Sequence, residues 1–212
     1  LTGKQTIYQM MRLAEEIEKR GGQPDDPVVY KREYLNRLWQ RIESRVESLR
    51  NGSLDPEQVR VPGSLELVRE LAARGITLYL ASGTDIEYVR SEAELAGVAE
   101  YFEPHIYGAL DNYESFSKKM VIDQILAQND LHGPELVAFG DGYVEILNVK
   151  QAGGIGVGAA TEEYTREGIN DWKRNRLVQA GADIIVPEFR QWRQLVAYLM
   201  AEEPYGGEQH AV

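Results

Sequence analysis

The chain has 212 residues, enough for one α/β domain with a small accessory domain, and its 43% apolar and 27% charged residues are typical of a globular protein. Its formal net charge of −11 argues against a nucleic acid or an anionic membrane as a partner, since both require a basic surface, but it does not exclude a phosphorylated metabolite. The chain contains no cysteine, which excludes disulfides and thiolate chemistry and fits a reducing compartment such as the cytoplasm. We find no apolar run of the roughly 20 residues that a membrane span requires, and no signal-peptide pattern.

Residues 1–60 are predicted to form a helical region without strands. Apolar residues recur at helical spacing over 7–17 and again over 34–49, and Asn51-Gly52 ends the second stretch. Two amphipathic helices with a short polar connection indicate a helical hairpin or part of a small bundle. Because the chain starts at Leu1 directly in this helical pattern, we expect it to be the middle of a longer polypeptide.

Residues 61–200 alternate between short apolar runs and amphipathic helical patterns. Strands are expected at 76–81, 105–110, 136–140, 155–160 and 183–187, and helices at 64–74, 85–96, 118–129, 143–152, 162–180 and 189–201. This alternation predicts parallel crossovers and therefore an α/β fold with a doubly wound, Rossmann-like parallel sheet. Residues 201–212 are expected to be a loose C-terminal tail.

The first predicted strand ends in Ser82-Gly83-Thr84-Asp85, directly before a predicted helix. Ligands of open parallel sheets bind beyond the carboxyl ends of the strands. Hydroxyls and free amides at a helix N-terminus attract anions, so this segment is a candidate phosphate site. The same residues would also serve as an ordinary helix cap.

The third predicted strand ends at Asp141, and Glu145 follows one helical turn later. Magnesium is bound in proteins by one or two carboxylates together with waters and phosphate oxygens, so this pair is a candidate Mg²⁺ site. The alternative is that Asp141 caps the next helix and Glu145 is a solvated acid in its first turn.

A lysine pair, Lys118 and Lys119, begins the helix that precedes this strand. A lysine at a helix N-terminus faces the positive end of the helix dipole, which favours an anion nearby. We prefer Lys118, because the apolar residues Val121, Ile122 and Ile125 then follow at helical spacing; Lys119 is the alternative, and a surface lysine is the simplest explanation of either.

The order of these segments resembles the haloacid dehalogenase-like hydrolase superfamily, most of whose members are Mg²⁺-dependent phosphatases. LASGT, residues 80–84, is similar to the second motif of that family, Lys118 to the third, and GDGYVE, residues 140–145, to the fourth. The resemblance covers about 61–200, and region 1–60 resembles the α-helical cap that many members insert before the second motif.

The resemblance implies a phosphatase of a small phosphorylated metabolite that reacts through an aspartyl-phosphate. Ser82 and Lys118 would be the catalytic residues of this chain that neutralise and orient the phosphate, together with the phosphate-binding residues Gly83 and Thr84. Asp141 would bind Mg²⁺, and Glu145 would lie on the metal or directly behind it.

The first motif of the family, an apolar strand followed by DxDGT, is not found in the sequence. Asp25-Asp26 lies in a loop without a preceding strand, SLDPEQ (53–58) has a single aspartate, and ALDNYES (109–115) comes after the second motif. We therefore expect the first central strand, with its nucleophile, to be missing from this chain, and the chain alone to be inactive. The sheet would then be completed by another segment, by a second chain or by a rearrangement.

Two explanations stay open at this point. The parent protein is an enzyme whose nucleophile segment is absent from this truncated or cleaved chain. Alternatively, the protein is a non-catalytic relative that lost the motif and serves in binding or assembly.

Overall fold

The computed structural model describes residues 5–110 and 116–201. Its helices are α1 (Thr6–Lys19), α2 (Pro27–Arg50), α3 (Ser64–Ala73), α4 (Ile86–Leu95), α5 (Ala99–Phe102), α6 (Lys118–Asn129), α7 (Tyr143–Gln151), α8 (Asp171–Ala180) and α9 (Trp192–Leu199). Its strands are β1 (Leu80–Asp85), β2 (Ile106–Ala109), β3 (Val137–Gly140), β4 (Ile155–Ala159) and β5 (Ile184–Val186). Short 3-10 helices lie at Pro56–Gln58 and Gly133–Glu135.

Helices α1 and α2 form the expected hairpin and pack against each other. Asp26 and Pro27 start α2, because the Asp26 carboxylate accepts a 2.7 Å hydrogen bond from the N–H of Val28 and proline needs no donor at this position. None of the described residues of α2 is fully buried. The hairpin is joined to the rest of the chain by polar contacts, among them a 2.7 Å ion pair between Lys31 Nζ and Asp85 Oδ1.

All strand pairs in the described part of the chain are parallel, apart from one isolated antiparallel bridge, and helices separate the strands, so the predicted α/β fold class is confirmed. The strands fall into two sheets, one with the order β1-β2 and one with the order β3-β4-β5. No ladder between β1 and β3 is present among the described residues. The two sheets are nevertheless neighbours, because Ile76 and Leu78, just before β1, pack against the same apolar cluster as Val137 and Phe139 of β3.

Burial across the two sheets differs from that of a continuous doubly wound sheet. Every residue of β1 and of β3 is half-buried, whereas most residues of β2 and β4 are buried. In a continuous sheet the central strands are covered on both faces and are the most deeply buried. We call the place between β1 and β3, where the described residues form no ladder, the gap. The two strands that border the gap have the partial burial of edge strands.

The hydrogen-bond pattern identifies the amides that point into this gap. In β3 the carbonyl of Leu136 accepts from the N–H of Ile155, and in β1 the N–H of Leu80 donates to the carbonyl of His105. Successive residues of a strand point their N–H and C=O groups to opposite sides. The backbone groups of the intervening residues therefore face the gap; these are Tyr79, Ala81, Val137 and Phe139.

We expect the N–H groups of Tyr79, Ala81, Val137 and Phe139 to exchange with solvent deuterium at least ~100-fold faster than those of Leu80 and Ala138, because only the latter pair with a neighbouring strand. Residue-resolved hydrogen exchange of the 212-residue chain checks this. Equal protection of both sets would contradict an open gap.

In the described part of the chain, the core is built from three apolar clusters around the sheets. The first packs α3 and α9 against β3, β4 and β5, with Leu67, Val157 and Val196 among its buried members. The second packs α6 against the β1-β2 sheet, and the third packs α7 against α8 through Ile146 and Leu177, both with 0% exposure. Helix α6 thus lies beside the gap, and this places its first residue near both sheets.

Three predictions about the elements need correction or lie outside the described part. The first strand, predicted at 76–81, is β1 at Leu80–Asp85. The stretch 162–170 is not helical: Thr161 pairs with Ile169 in an isolated antiparallel bridge, and α8 begins only at Asp171. The predicted loose tail falls almost entirely on 202–212, outside the described residues. No helix in the described ranges combines the length and apolarity needed to cross a membrane.

Candidate active site

The segment Ser82-Gly83-Thr84 forms the last part of β1 and lies directly before α4, whose N-cap is Asp85. Strand β1 continues to Asp85, with an irregular register between Ala81 and Asp85, and α4 starts only at Ile86. The Ser82 hydroxyl accepts a 3.2 Å hydrogen bond from the N–H of Thr84. Residues 82–84 therefore form an irregular turn within the carboxyl end of β1, in which the hydroxyl of the first residue, Ser82, is the acceptor.

Gly108 of the neighbouring strand makes this turn possible. A Cβ at Gly108 would lie 2.9 Å from the carbonyl oxygen of Thr84 and 2.6 Å from the Cα of Ile86. The absence of a side chain lets β2 approach the backbone of the turn closely.

Lys118 reaches the helix that follows β3. The Ser117 hydroxyl caps α6 by accepting from the N–H of Met120 at 3.1 Å, and Val121 and Ile125 anchor the helix in the core. This orientation directs the Lys118 ammonium to Glu145 Oε1, with which it forms an ion pair. Both side chains are largely buried, with 14% exposure for the lysine and 19% for the glutamate.

Lys119 lies elsewhere. Its ammonium pairs with Asp123 one turn along the same helix at 2.6 Å, and its side chain is 58% exposed. Of the two candidate lysines, Lys118 alone is joined to a predicted site residue within the described ranges.

The two carboxylate oxygens of Glu145 differ in their hydrogen-bond partners. Its Oε2 is buried and has no hydrogen-bond partner among the described residues, although its Oε1 is held by Lys118. Gly142 provides the room for this carboxylate, because a Cβ there would lie 2.2 Å from Oε2. A buried carboxylate oxygen without a partner is costly and is an expected feature of a site that binds a cation or a donor.

Asp141 is at the carboxyl end of β3 and its side chain is 64% exposed. Asp141 and Glu145 together supply the hard oxygen donors that Mg²⁺ requires, and the unpaired Oε2 fits such an ion. In the described ranges no cluster of three or more metal-ligating side chains occurs. The remaining ligands of a metal ion would therefore be waters, phosphate oxygens or groups from outside these ranges.

A further lysine, Lys173 of α8, lies against Asp141. Its Nζ is 3.3 Å from Asp141 Oδ2 and 2.6 Å from Glu163 Oε1. Burial alone would lower the pKa of Lys173, but the two carboxylates outweigh it and raise the pKa above its ordinary value. Sequence reasoning missed this residue, although a lysine in the first turn of a helix is the same signal that singled out Lys118.

The aspartates considered for a first motif have ordinary structural roles. Asp26 caps α2, and Asp55 caps the 3-10 helix at Pro56–Gln58 by accepting from the N–H of Glu57 at 2.8 Å. The segment ALDNYES falls largely on 111–115, outside the described residues.

The candidate site residues thus fall into two groups, which we call half-sites. Lys118 and Glu145 are in contact, and Asp141 lies at the end of the same strand-to-helix turn. The turn at Ser82-Gly83-Thr84 belongs to the other sheet, and in the described ranges no hydrogen bond or ion pair joins it to these three residues. Both half-sites occupy the carboxyl ends of parallel strands that border the gap.

Comparisons with known proteins agree with this architecture. A structure of a conserved haloacid dehalogenase-like protein of unknown function from Agrobacterium tumefaciens is similar, with 20% identity, a TM-score of 0.53 and coverage of 92% of each chain. A HAD family hydrolase from Deinococcus radiodurans, solved with bound phosphate and sodium, has 16% identity and a TM-score of 0.59 over 97% of this chain and 80% of that one. A predicted phosphoglycolate phosphatase from Haemophilus somnus has 14% identity and a TM-score of 0.62 over 92% and 79%.

These structural similarities show the fold, whereas the family is shown by a comparison of the sequence. No curated protein matches the chain. A family model described as haloacid dehalogenase-like hydrolase matches residues 14–153, more than half of the chain. The chain therefore belongs to the haloacid dehalogenase-like hydrolases.

Proposed function

We propose that this chain supplies the cap, phosphate-binding and metal-binding parts of a Mg²⁺-dependent phosphatase that acts on a small phosphorylated metabolite through an aspartyl-phosphate. The observation that carries the proposal is the arrangement at the carboxyl ends of β1 and β3. A hydroxyl turn ends one strand, two carboxylates follow the other, and Lys118 contacts one of those carboxylates. Phosphoryl transfer needs this combination of anion binding, positive charge and hard oxygen ligands.

The proposed roles of the phosphate-binding residues differ with their charge. The hydroxyls of Ser82 and Thr84 and the backbone amide of Gly83 would donate hydrogen bonds to phosphate oxygens. The Lys118 ammonium would offset the repulsion between a dianionic phosphate and the nearby Glu145 carboxylate, to which it is already paired. Lys118 therefore holds a positive charge at the place where negative charge accumulates.

Asp141 and Glu145 would hold the metal ion, which when bound would supply charge neutralisation for the phosphoryl group. Asp141 is suited to this because most of its carboxylate is open to solvent, and Glu145 because its Oε2 is unpaired among the described residues. The hairpin α1–α2 would act as the cap, since Lys31 of α2 reaches the carboxyl end of β1 at Asp85.

The nucleophile would come from one further strand between β1 and β3. The half-burial of both strands and the direction of their gap-facing amides support an additional parallel neighbour. Such a strand would bring a carboxylate at its tip between the two half-sites. We expect it to be encoded next to these 212 codons or to be part of a partner chain.

The chain alone is expected to release no p-nitrophenol from p-nitrophenyl phosphate in the presence of Mg²⁺, because no aspartate of the described ranges stands between the half-sites as a nucleophile. Mg²⁺-dependent turnover by the purified 212-residue chain would contradict this. The complete protein, identified by sequencing the neighbouring codons, is expected to turn over the same substrate and to lose activity on Asp141→Asn.

The second candidate is a non-catalytic relative that binds a ligand or a partner without turnover. It is favoured by the capping roles of Asp26 and Asp55, which leave the described residues without a first-motif aspartate at a strand tip. A gene that encodes no further strand, together with a product that binds inorganic phosphate but does not hydrolyse phosphate esters, would support this candidate.

A further inference from the structure

Lys173 is shared between two carboxylates of unequal exposure and distance. Its side chain is 13% exposed, whereas those of Asp141 and Glu163 are 64% and 72% exposed. The helix start at Asn170 fixes it, because the Asn170 side chain accepts a 3.0 Å hydrogen bond from the N–H of Lys173. This cap fixes the backbone of Lys173 at the start of α8, and from there its ammonium reaches Asp141.

The two contacts of this ammonium differ in strength. The distance to Glu163 Oε1 is 2.6 Å and the distance to Asp141 Oδ2 is 3.3 Å. If Asp141 bound a metal ion instead of Lys173, the lysine would keep its shorter contact with Glu163 and would not become an unpaired charge. Because Glu163 is a second partner, the loss of the Asp141 contact does not leave the buried ammonium uncompensated.

We propose that Lys173 is a positioning residue for Asp141 that stands in for a divalent cation in the metal-free protein and moves fully to Glu163 when a cation binds. The inference rests on the proposed metal site at Asp141 and Glu145. An ammonium beside Asp141 holds that carboxylate in place, and it also lowers the affinity of the site for a metal ion. The affinity is therefore set by the competition of two cations for one carboxylate.

The test uses Mn²⁺ as the probe, with free Mn²⁺ measured by electron paramagnetic resonance in the presence of the 212-residue chain. Lys173→Met is expected to bind Mn²⁺ about 5-fold more tightly. This is the effect of removing one positive charge that lies about 4 Å from a second charge in water. Glu163→Gln is expected to bind about 3-fold more weakly, because Lys173 then has Asp141 as its only carboxylate partner. Lys173→Arg keeps the charge and is expected to keep the affinity of the unchanged chain.

The double variant Lys173→Met/Glu163→Gln separates this mechanism from general electrostatics. If Glu163 acts through Lys173, the second substitution has no further effect once the lysine is absent. Additive effects of the two substitutions, or equal affinity in all variants, would overturn the inference and leave the metal site in place. Absence of Mn²⁺ binding by the unchanged chain and all variants would instead overturn the proposed metal site and the inference with it.

Discussion

Replacing Lys118 with methionine is expected to lower the free energy of unfolding by about 2–4 kcal/mol, because it leaves the largely buried Glu145 carboxylate without a partner for either oxygen. Lys118 holds Oε1, and Oε2 has no partner among the described residues. Methionine retains the length and most of the apolar contacts of the lysine stem, so the loss reports chiefly on the charge. Urea denaturation followed by circular dichroism measures the change.

Two control variants make this result specific. Lys119→Met removes an exposed partner of Asp123 from the same helix and should change stability by less than about 0.5 kcal/mol. Glu145→Gln in the Lys118→Met background removes the uncompensated charge and should recover at least half of the loss. Similar losses for Lys118→Met and Lys119→Met would show that the Lys118–Glu145 contact is not a buried ion pair.

Gly63→Ala is expected to destabilise the protein by more than about 3 kcal/mol, since it combines an unfavourable backbone conformation with a clash against backbone. Gly63 has φ = +76° and precedes α3. A Cβ at this position would lie 2.2 Å from both the carbonyl carbon and oxygen of Phe189. Backbone atoms cannot rotate away, and the segment is also held by a 2.8 Å hydrogen bond from the N–H of Phe189 to the carbonyl of Pro62.

Gly52→Ala is the matched control for this substitution. Gly52 has nearly the same φ, +75°, but a Cβ added there would have open space around it, with nothing within 4 Å. Only the conformational cost of about 1 kcal/mol therefore remains. The difference between the two variants in urea denaturation measures the clash. Equal losses would mean that the contact between Gly63 and Phe189 adjusts without cost.

Local patterns in the sequence predicted most of the elements. The helix over 118–129 has the predicted bounds, and strands were found inside four of the five apolar runs, because hydrophobic periodicity and capping residues act over a few neighbouring positions. The exception is the run 76–81, which β1 overlaps only at Leu80 and Ala81. The prediction of a helix over 162–170 was wrong, because the acidic and polar residues of this stretch suit a helix locally. In the fold this stretch follows β4 and folds back, so that Thr161 pairs with Ile169 and the N–H of Asn170 donates to the carbonyl of Ala160.

The candidate site was predicted in its parts but not in its contacts. Nothing local to Lys173 indicates that it faces Asp141, 32 residues away along the chain. Likewise, the placement of Ser82 inside a strand depends on the pairing of β1 with β2, since the register with Tyr107 and Ala109 extends β1 to Asp85. Such pairings depend on the path of the whole chain, which periodicity does not encode.

The sequence by itself determined the α/β alternation, the order of the hydroxyl, lysine and acid segments, and the membership in the haloacid dehalogenase-like hydrolases, because these depend on neighbouring residues and their order. Only the tertiary structure decided that Lys118 and not Lys119 meets Glu145, and that Lys173 stands beside Asp141. It also separated the strands into two sheets with half-buried facing edges. These features are set by long-range packing, where the burial of one helix face directs the side chains of Lys118 and Lys173 to partners 27 and 32 residues away in the chain.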